Sequence, residues 1–339
     1  MKAAQFLEVG KPLQIAEVPR PSAGPGGLVF KVKTCGICAS DLHAVEVPGM
    51  LQSGTVLGHE YCGEVVEVGP GVNGWVIGDR LVALPGRPCG TCAACQGGQH
   101  AECEQIVMQG FDLQMPGAYA EYSTCMAALA TRIPDTLSDA EAATIEPLSV
   151  GLGAWKAANV PPGASVLIIG AGIIGLSVCT WARFFGAGDV GISEPVPARI
   201  ARARALGIDV VVDAAHCPDP VADYERQTGR KPSVIFECVG RPMIARLIEI
   251  APPGAHLVLA GTGMQTESFA VVAAALKRLR MTFPLAYEPA DFPFVQRMLA
   301  TGRISARGFV TATVSLDDAP AMFERLGKPN DHCKVLITP

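Results

Sequence analysis

The feature that most constrains this chain is a glycine pattern placed between a strand and a helix. Residues Val166 to Ile169 form an apolar run, and Gly170-Ala-Gly172-Ile173-Ile174-Gly175 follows at once and opens a helical stretch. Gly170 suits a tight turn. Gly172 lets the backbone approach a pyrophosphate, and Gly175 lets the helix lie close to the strand. The helix N-terminus, with Ile173 and Ile174 beside it as candidate cofactor contacts, offers unpaired N–H groups and a partial positive charge to such an anion. From Ala164 onward, apolar runs alternate with amphipathic stretches: strands at 165–169, 189–192, 210–212, 233–237 and 256–260, with helices at 175–185 and 198–206. Strands and helices in alternation predict an α/β class with a doubly wound parallel sheet. Glu194 closes the second strand, about 20 residues past the glycines, where a carboxylate accepts bonds from both adenosine ribose hydroxyls and repels a 2′-phosphate. That reading favours NAD over NADP. Arg199, in the next helix, could stack on adenine, pair with a phosphate or lie on the surface.

The first ~150 residues read differently. Short β-rich runs, such as 28–32 and 63–68, are separated by Gly/Pro turns, and the composition changes near Pro147. The chain ends in another expected strand, Lys334 to Ile337. We therefore expect a discontinuous first domain of residues 1–149 and 286–339, interrupted by a nucleotide-binding domain of residues 150–285. Charged residues are 17% of the chain and the formal net charge is −5, so no basic surplus exists to neutralise phosphates, and nucleic acid is not an expected partner. The longest apolar run, 166–182, is broken by glycines and falls short of the ~20 residues of a membrane span. With no apolar leader at the N-terminus, a cytoplasmic location is expected.

Four of the twelve cysteines crowd into fifteen residues, Cys89, Cys92, Cys95 and Cys103, inside a lobe at 86–104. Such short loops can wrap four thiolates around one metal. Four sulfurs close the shell of a zinc ion and make the site structural, and a four-thiolate shell also suits an iron–sulfur cluster. His100 lies in the same loop and reads as a surface residue. The other cysteines, Cys38 aside, read as small buried apolar residues in a reducing compartment.

Three further segments carry donor groups: Gly36-Ile-Cys38-Ala-Ser40-Asp41-Leu-His43, Gly58-His59-Glu60, and Thr144-Ile-Glu146-Pro147. The proline predicts an extended backbone at Glu146. One cysteine, one histidine and one or two glutamates can hold a zinc with a position left open. Together with Gly78-Asp79-Arg80-Leu81, the four-cysteine lobe, the glycine motif, Phe236-Glu-Cys-Val-Gly240 and the terminal Lys-Val-Leu-Ile-Thr-Pro, these segments resemble the zinc-dependent medium-chain alcohol dehydrogenases, in particular the sorbitol/polyol and threonine dehydrogenase-like branch. The resemblance runs over essentially the whole chain.

It implies a GroES-like β-rich catalytic domain plus a Rossmann domain, two zinc ions per chain and NAD as cofactor. By the same resemblance, Cys89, Cys92, Cys95 and Cys103 hold structural zinc, and Cys38 and His59 hold catalytic zinc. Glu60, Glu146 or a water completes the latter shell. Ser40 and His43 match the proton relay, and Asp41 orients the ligand set. The implied reaction oxidises a secondary alcohol to a ketone reversibly: the hydroxyl meets the zinc, its proton leaves through Ser40 and His43, and hydride passes to the nicotinamide. The segment Ala44 to Leu51 lacks an aromatic hydroxyl, which favours an apolar, cyclic or diol substrate, with a sorbitol-like polyol as the alternative. Tyr287 is a candidate substrate contact or, equally, a core tyrosine. A zinc-free quinone reductase and a non-catalytic dinucleotide-binding protein are the competing classes, and a homodimer or homotetramer is the expected assembly.

Overall fold

All five residues of Ser165–Ile169 are buried, as expected of a strand covered on both faces of a parallel sheet. The computed structural model of the chain describes residues 1–208, 210–285 and 287–339. Two compact units emerge, Met1–Glu146 with Glu288–Pro339, and Pro147–Tyr287. The expected start of the returning segment, residue 286, lies outside the described residues.

The second unit is built on a six-stranded, wholly parallel sheet. Its strands run Val210–Asp213, Asp189–Glu194, Ser165–Ile169, Val234–Glu237, His256–Leu259 and Arg280–Thr282 in spatial order. The strand order reverses beside Ser165–Ile169, and the crevice at such a reversal is where doubly wound sheets bind nucleotides. Leu167, Ile235, Leu257, Val212 and Tyr224 pack its core. The apolar run at 166–182 resolves into this central strand and the helix Ile173–Phe184. No helix among the described residues is long and apolar enough to cross a membrane.

The first unit is β-rich. A seven-stranded sheet runs Ala130–Arg132, Arg80–Ala83, Glu60–Val68, Gly27–Gly36, Lys334–Thr338 and Val310–Ser315, with Tyr122–Met126 also paired to Gly27–Gly36. The last strand of the chain thus completes a sheet begun some 300 residues earlier, pairing Leu336 with Gly36 and Ile337 with Cys35. Leu28, Phe30, Leu57, Leu81 and Tyr119 fill the core. A two-stranded ribbon, Gly86–Arg87 with Val107–Met108, carries the cysteine-rich lobe apart from that sheet.

Candidate metal and dinucleotide sites

The register of the seven-stranded sheet assembles the first site. Gly36 lies opposite Glu60 on one side and Leu336 on the other, so the end of Gly27–Gly36, the start of Glu60–Val68 and the start of Lys334–Thr338 converge. Just beyond Gly36 the chain turns into the short helix Ala39–Ala44, whose Asp41 accepts the Cys38 N–H on Oδ2 at 3.1 Å. Cys38, His59 and Glu60 come together here, each offering a donor atom, all within 4.8 Å of one another.

Behind these three stands a fully buried polar frame. Asp41 Oδ1 lies 3.2 Å from His59 Nδ1, so the Nε2 side of the ring is left for a metal. Burial alone would keep the imidazole neutral; the Asp41 carboxylate outweighs it and raises the pKa of His59 well above its ordinary value. Burial likewise disfavours the Asp41 charge, and His59 more than offsets that, holding the carboxyl below its usual range. Tyr119 donates its hydroxyl to Asp41 Oδ2 at 2.6 Å, and burial, then the Asp41 charge, keeps that phenol protonated.

Glu60 is paired in a way the motif alone does not reveal. Lys334 Nζ lies 2.7 Å from its Oε1 and 2.5 Å from its Oε2, and also donates to Ile37 O at 2.8 Å. Both side chains are only 1% exposed. Burial would strip the Lys334 proton; the charge of Glu60, then those of Cys38 and Glu146, hold it on. Gly36 makes room for this pair, since a Cβ there would sit 2.1 Å from Glu60 Oε2.

Glu146 is buried in the first turn of the helix Ile145–Ala158, not in an extended stretch, because Pro147 falls where a helix has no N–H partner to lose. Its carboxylate is not among the donors that meet within 4.8 Å. Ser40 Oγ lies 3.4 Å from His59 Nε2, and His43 is half-buried on the same short helix. In the segment after His43, Ala44, Val45 and Leu51 pack into the core of their own unit, so these three do not argue against a polar substrate. Tyr287 is buried.

The second cluster is the lobe. The sulfurs of Cys89, Cys92, Cys95 and Cys103 also lie within 4.8 Å of one another, and all four are free thiols. Cys89 Sγ and Cys95 Sγ are 3.9 Å apart. That is close to the ~3.8 Å edge of a tetrahedron with ~2.3 Å zinc–sulfur bonds, and far from a ~2.05 Å disulfide. Backbone N–H groups point at the sulfurs: Cys92 N–H at Cys89, Cys95 N–H at Cys92, and Cys89 N–H at Cys103. With Thr91 leading, such donors lower the Cys89 thiol to about 6, whereas burial raises that of its neighbour Cys95 to about 12.

The glycine turn of the second unit is tight at both ends and open in its middle. Gly170 sits at φ +100°, and a Cβ at Gly175 would lie 1.9 Å from Gly170 O. At Gly172, the residue preceding the helix Ile173–Phe184, an added Cβ would meet no protein atom within 4 Å. Space is therefore kept beside the helix N-terminus, where Ile173 and Ile174 are half-buried. Glu194 is buried, and its two oxygens accept the Ala171 N–H (2.8 Å) and the Val196 N–H (3.0 Å). It therefore ties the glycine turn to its own strand end, and each oxygen keeps lone-pair capacity for a further donor. Arg199 is half-buried in the following helix, Pro197–Ala205.

Three residues important to these sites had no functional reading from sequence. Lys334 and Tyr119 are remote in sequence from the groups they serve. Glu237 ends a central strand, buried, with Oε1 accepting the Val239 and Gly240 N–H groups. The glycines at 240 and 261 are the signal that could have exposed it, since a Cβ at Gly261 would lie 2.5 Å from its Oε2.

Comparison with known proteins identifies the family and the fold. Residues 24–135 match the family model of the alcohol dehydrogenase GroES-like domain, and residues 174–301 that of zinc-binding dehydrogenases. D-xylulose reductase A of Aspergillus oryzae is 30% identical over 91% of this chain and 88% of its own length. A structure from Sinorhizobium meliloti, of a protein described as a zinc-binding dehydrogenase and bound to NADP, superposes with a TM-score of 0.89 at 29% identity, covering 100% of this chain and 99% of that one. The 2R,3R-butanediol dehydrogenase of Bacillus subtilis gives 0.87 at 29% identity, with the same coverage. From its β-rich unit through its nucleotide-binding unit, this chain belongs to the zinc-binding alcohol dehydrogenase family, the zinc-dependent medium-chain dehydrogenases.

Proposed function

We propose that the protein is an NAD-dependent dehydrogenase that oxidises a secondary alcohol flanked by further hydroxyls, a polyol or diol, to the ketone. The observation that carries this reading is the convergence of Cys38, His59 and Glu60 within 4.8 Å, with Asp41 behind the histidine. The names of the relatives, a xylulose reductase and a butanediol dehydrogenase, support the hydroxylated substrate.

Cys38 and His59 Nε2 would hold the catalytic zinc, and Glu60, which meets them within 4.8 Å, Glu146 or a water would complete its shell. Bound there, zinc supplies Lewis acidity and NAD the hydride acceptor. Ser40 takes the proton of the substrate hydroxyl, and His43 passes it to solvent. Cys89, Cys92, Cys95 and Cys103 hold a second, structural zinc, whose closed shell leaves no place for substrate. In the second unit, Gly170, Gly172 and Gly175 cradle the pyrophosphate with Ile173 and Ile174 at the helix start. Glu194 receives the adenosine ribose hydroxyls on lone pairs left by its two backbone donors and discriminates against a 2′-phosphate. Arg199 borders the adenine end.

The first domain comprises residues 1–149 and 286–339 and the second residues 150–285. The chain acts in the cytoplasm as a homodimer or homotetramer. In support of assembly, Leu276, Phe283 and Leu285 are exposed beside the sheet-edge strand Arg280–Thr282, a combination that monomers usually avoid.

The test is metal analysis with a screen of NAD reduction over diols, polyols and simple secondary alcohols. About two zincs per chain and activity on a vicinal diol or polyol are expected. Replacing Cys38 with serine should leave about one zinc and no turnover. Full activity of that variant with both zincs retained, or equal rates with NADP, would refute the corresponding part of the proposal.

A further inference from the structure

Tyr119 touches the metal-site frame from two directions. Its backbone N–H donates to Leu57 O at 2.9 Å and the Ala118 N–H donates to Gly58 O at 2.8 Å, so the chain around Tyr119 runs directly beside the two residues that lead into His59. Its ring occupies the space that a side chain at Gly58 would need. A Cβ there would lie 2.4 Å from the ring, and Gly58 sits at φ +100°. The far end of the ring carries the hydroxyl bonded to Asp41 Oδ2 at 2.6 Å. Phe323 meets the ring edge-on at 6.5 Å. Tyr119 and Asp41 are both 0% exposed, so no water competes for the carboxylate.

The geometry divides the work of the Asp41 carboxylate. Oδ2 takes two donors, the Tyr119 hydroxyl and the Cys38 N–H, and Oδ1 faces His59 Nδ1. Rotation about χ2 of an aspartate is soft, so one backbone donor alone leaves its plane weakly determined. A second, short, charge-assisted bond from a rigid ring fixes it.

We propose that Tyr119 is a positioning residue of the catalytic metal site: by fixing the plane of Asp41 it sets the His59 ring, and with it the nitrogen presented to the metal. This rests on the reading that Cys38 and His59 hold a metal. Tyr119 is fully buried, and its hydroxyl acts through Asp41.

The test uses the full-length protein loaded with Co²⁺, read by its visible d–d absorption and by the rate of cobalt release to a chelator. The Cys38→Ser variant supplies the signal of the four-cysteine lobe, which is subtracted. Asp41→Asn is expected to weaken cobalt retention about 10- to 100-fold, the range for groups that hold a metal-binding histidine, and Tyr119→Phe, which acts one bond further back, by less, about three- to tenfold. Both variants should shift the d–d bands. In the Asp41→Asn background, Tyr119→Phe should add less than about twofold, since residues acting through one bond do not add. Phe323→Leu loosens the packing on the ring without touching the hydroxyl and should behave as wild type.

The proposal is overturned if Tyr119→Phe keeps the wild-type spectrum and release rate, if its effect persists undiminished beside Asp41→Asn, or if Phe323→Leu reproduces it. If Cys38→Ser retains the same cobalt as wild type, the metal-site reading itself has failed, and that outcome is distinct from the other three.

Discussion

Replacing Lys334 by methionine should destabilise the metal-free protein far more than a surface lysine would. The side chain is 1% exposed and lies 2.7 and 2.5 Å from the two oxygens of Glu60, which is equally buried. At an effective dielectric of about 20, a unit charge pair at 2.7 Å is worth roughly 6 kcal/mol. The dehydration of both ions opposes much of that, so the pair adds little over an apolar isostere. Removing one partner is different, because Glu60 is left charged, buried and unopposed, at a cost of about 3–5 kcal/mol. For a unit of this size each kcal/mol moves the midpoint by about 2–4 °C, which gives a fall of roughly 6–20 °C.

Two features separate this mechanism from simple loss of packing. Adding Glu60→Gln to Lys334→Met removes the orphaned charge and should recover most of the loss. Zinc loading should also shrink it, because a divalent ion beside Glu60 supplies replacement positive charge. Scanning calorimetry and urea titration of the metal-free and zinc-loaded forms read both effects. A loss under about 1 kcal/mol in the metal-free single variant would refute the argument, as would no recovery in the double variant.

The glycines of the nucleotide-binding turn should separate stability from binding. Gly172→Ala meets no protein atom and should hold stability within about 0.5 kcal/mol, yet weaken NADH binding at least about tenfold by filling the pyrophosphate approach; unchanged affinity in a fluorescence titration would sink the cradle assignment. Gly175→Ala places a carbon 1.9 Å from Gly170 O and should cost at least about 1–3 kcal/mol in thermal unfolding. His256 should make the second unit acid-sensitive. Burial, then Arg280, lowers its folded pKa from 6.5, while its Nε2 pairs with Thr282 Oγ1 at 2.8 Å. Below about 6.5 the unfolded chain takes up the proton first, so stability present above that pH is lost as pH falls toward the folded value. Between neutral pH and about 5.5, wild type should therefore lose more stability than His256→Gln, and parallel losses would show that this histidine is not responsible.

The parts of the protein that could be read from its sequence are those whose physics is local. Gly170, Gly172 and Gly175 span six residues, and their need for a left-handed turn, an open approach and a close helix contact is written in that spacing. Four cysteines within fifteen residues can close on one metal whatever the rest of the chain does. Alternating apolar and amphipathic runs specify a doubly wound sheet because each strand must bury both faces. Donor types at Cys38, His59 and Glu60 were visible as well, although the motifs did not show what surrounds them.

Those surroundings were decided by tertiary structure. The Lys334–Glu60 pair joins residues 274 apart, and the Tyr119–Asp41 bond joins residues 78 apart. Each exists because strand register slides two distant segments into one dry interior, and no periodicity along the chain encodes that register. Glu146 shows the same limit on a short scale: its neighbour Pro147 argued for extended backbone, but a first helical turn loses nothing to a proline. Glu194 was legible as an acid at a strand end and not as the tie that accepts Ala171 and Val196. Residue type announces which chemistry a side chain can perform; burial and partner select which of those possibilities it holds, because charge and hydrogen-bond energies depend on the excluded water that only the packed fold provides.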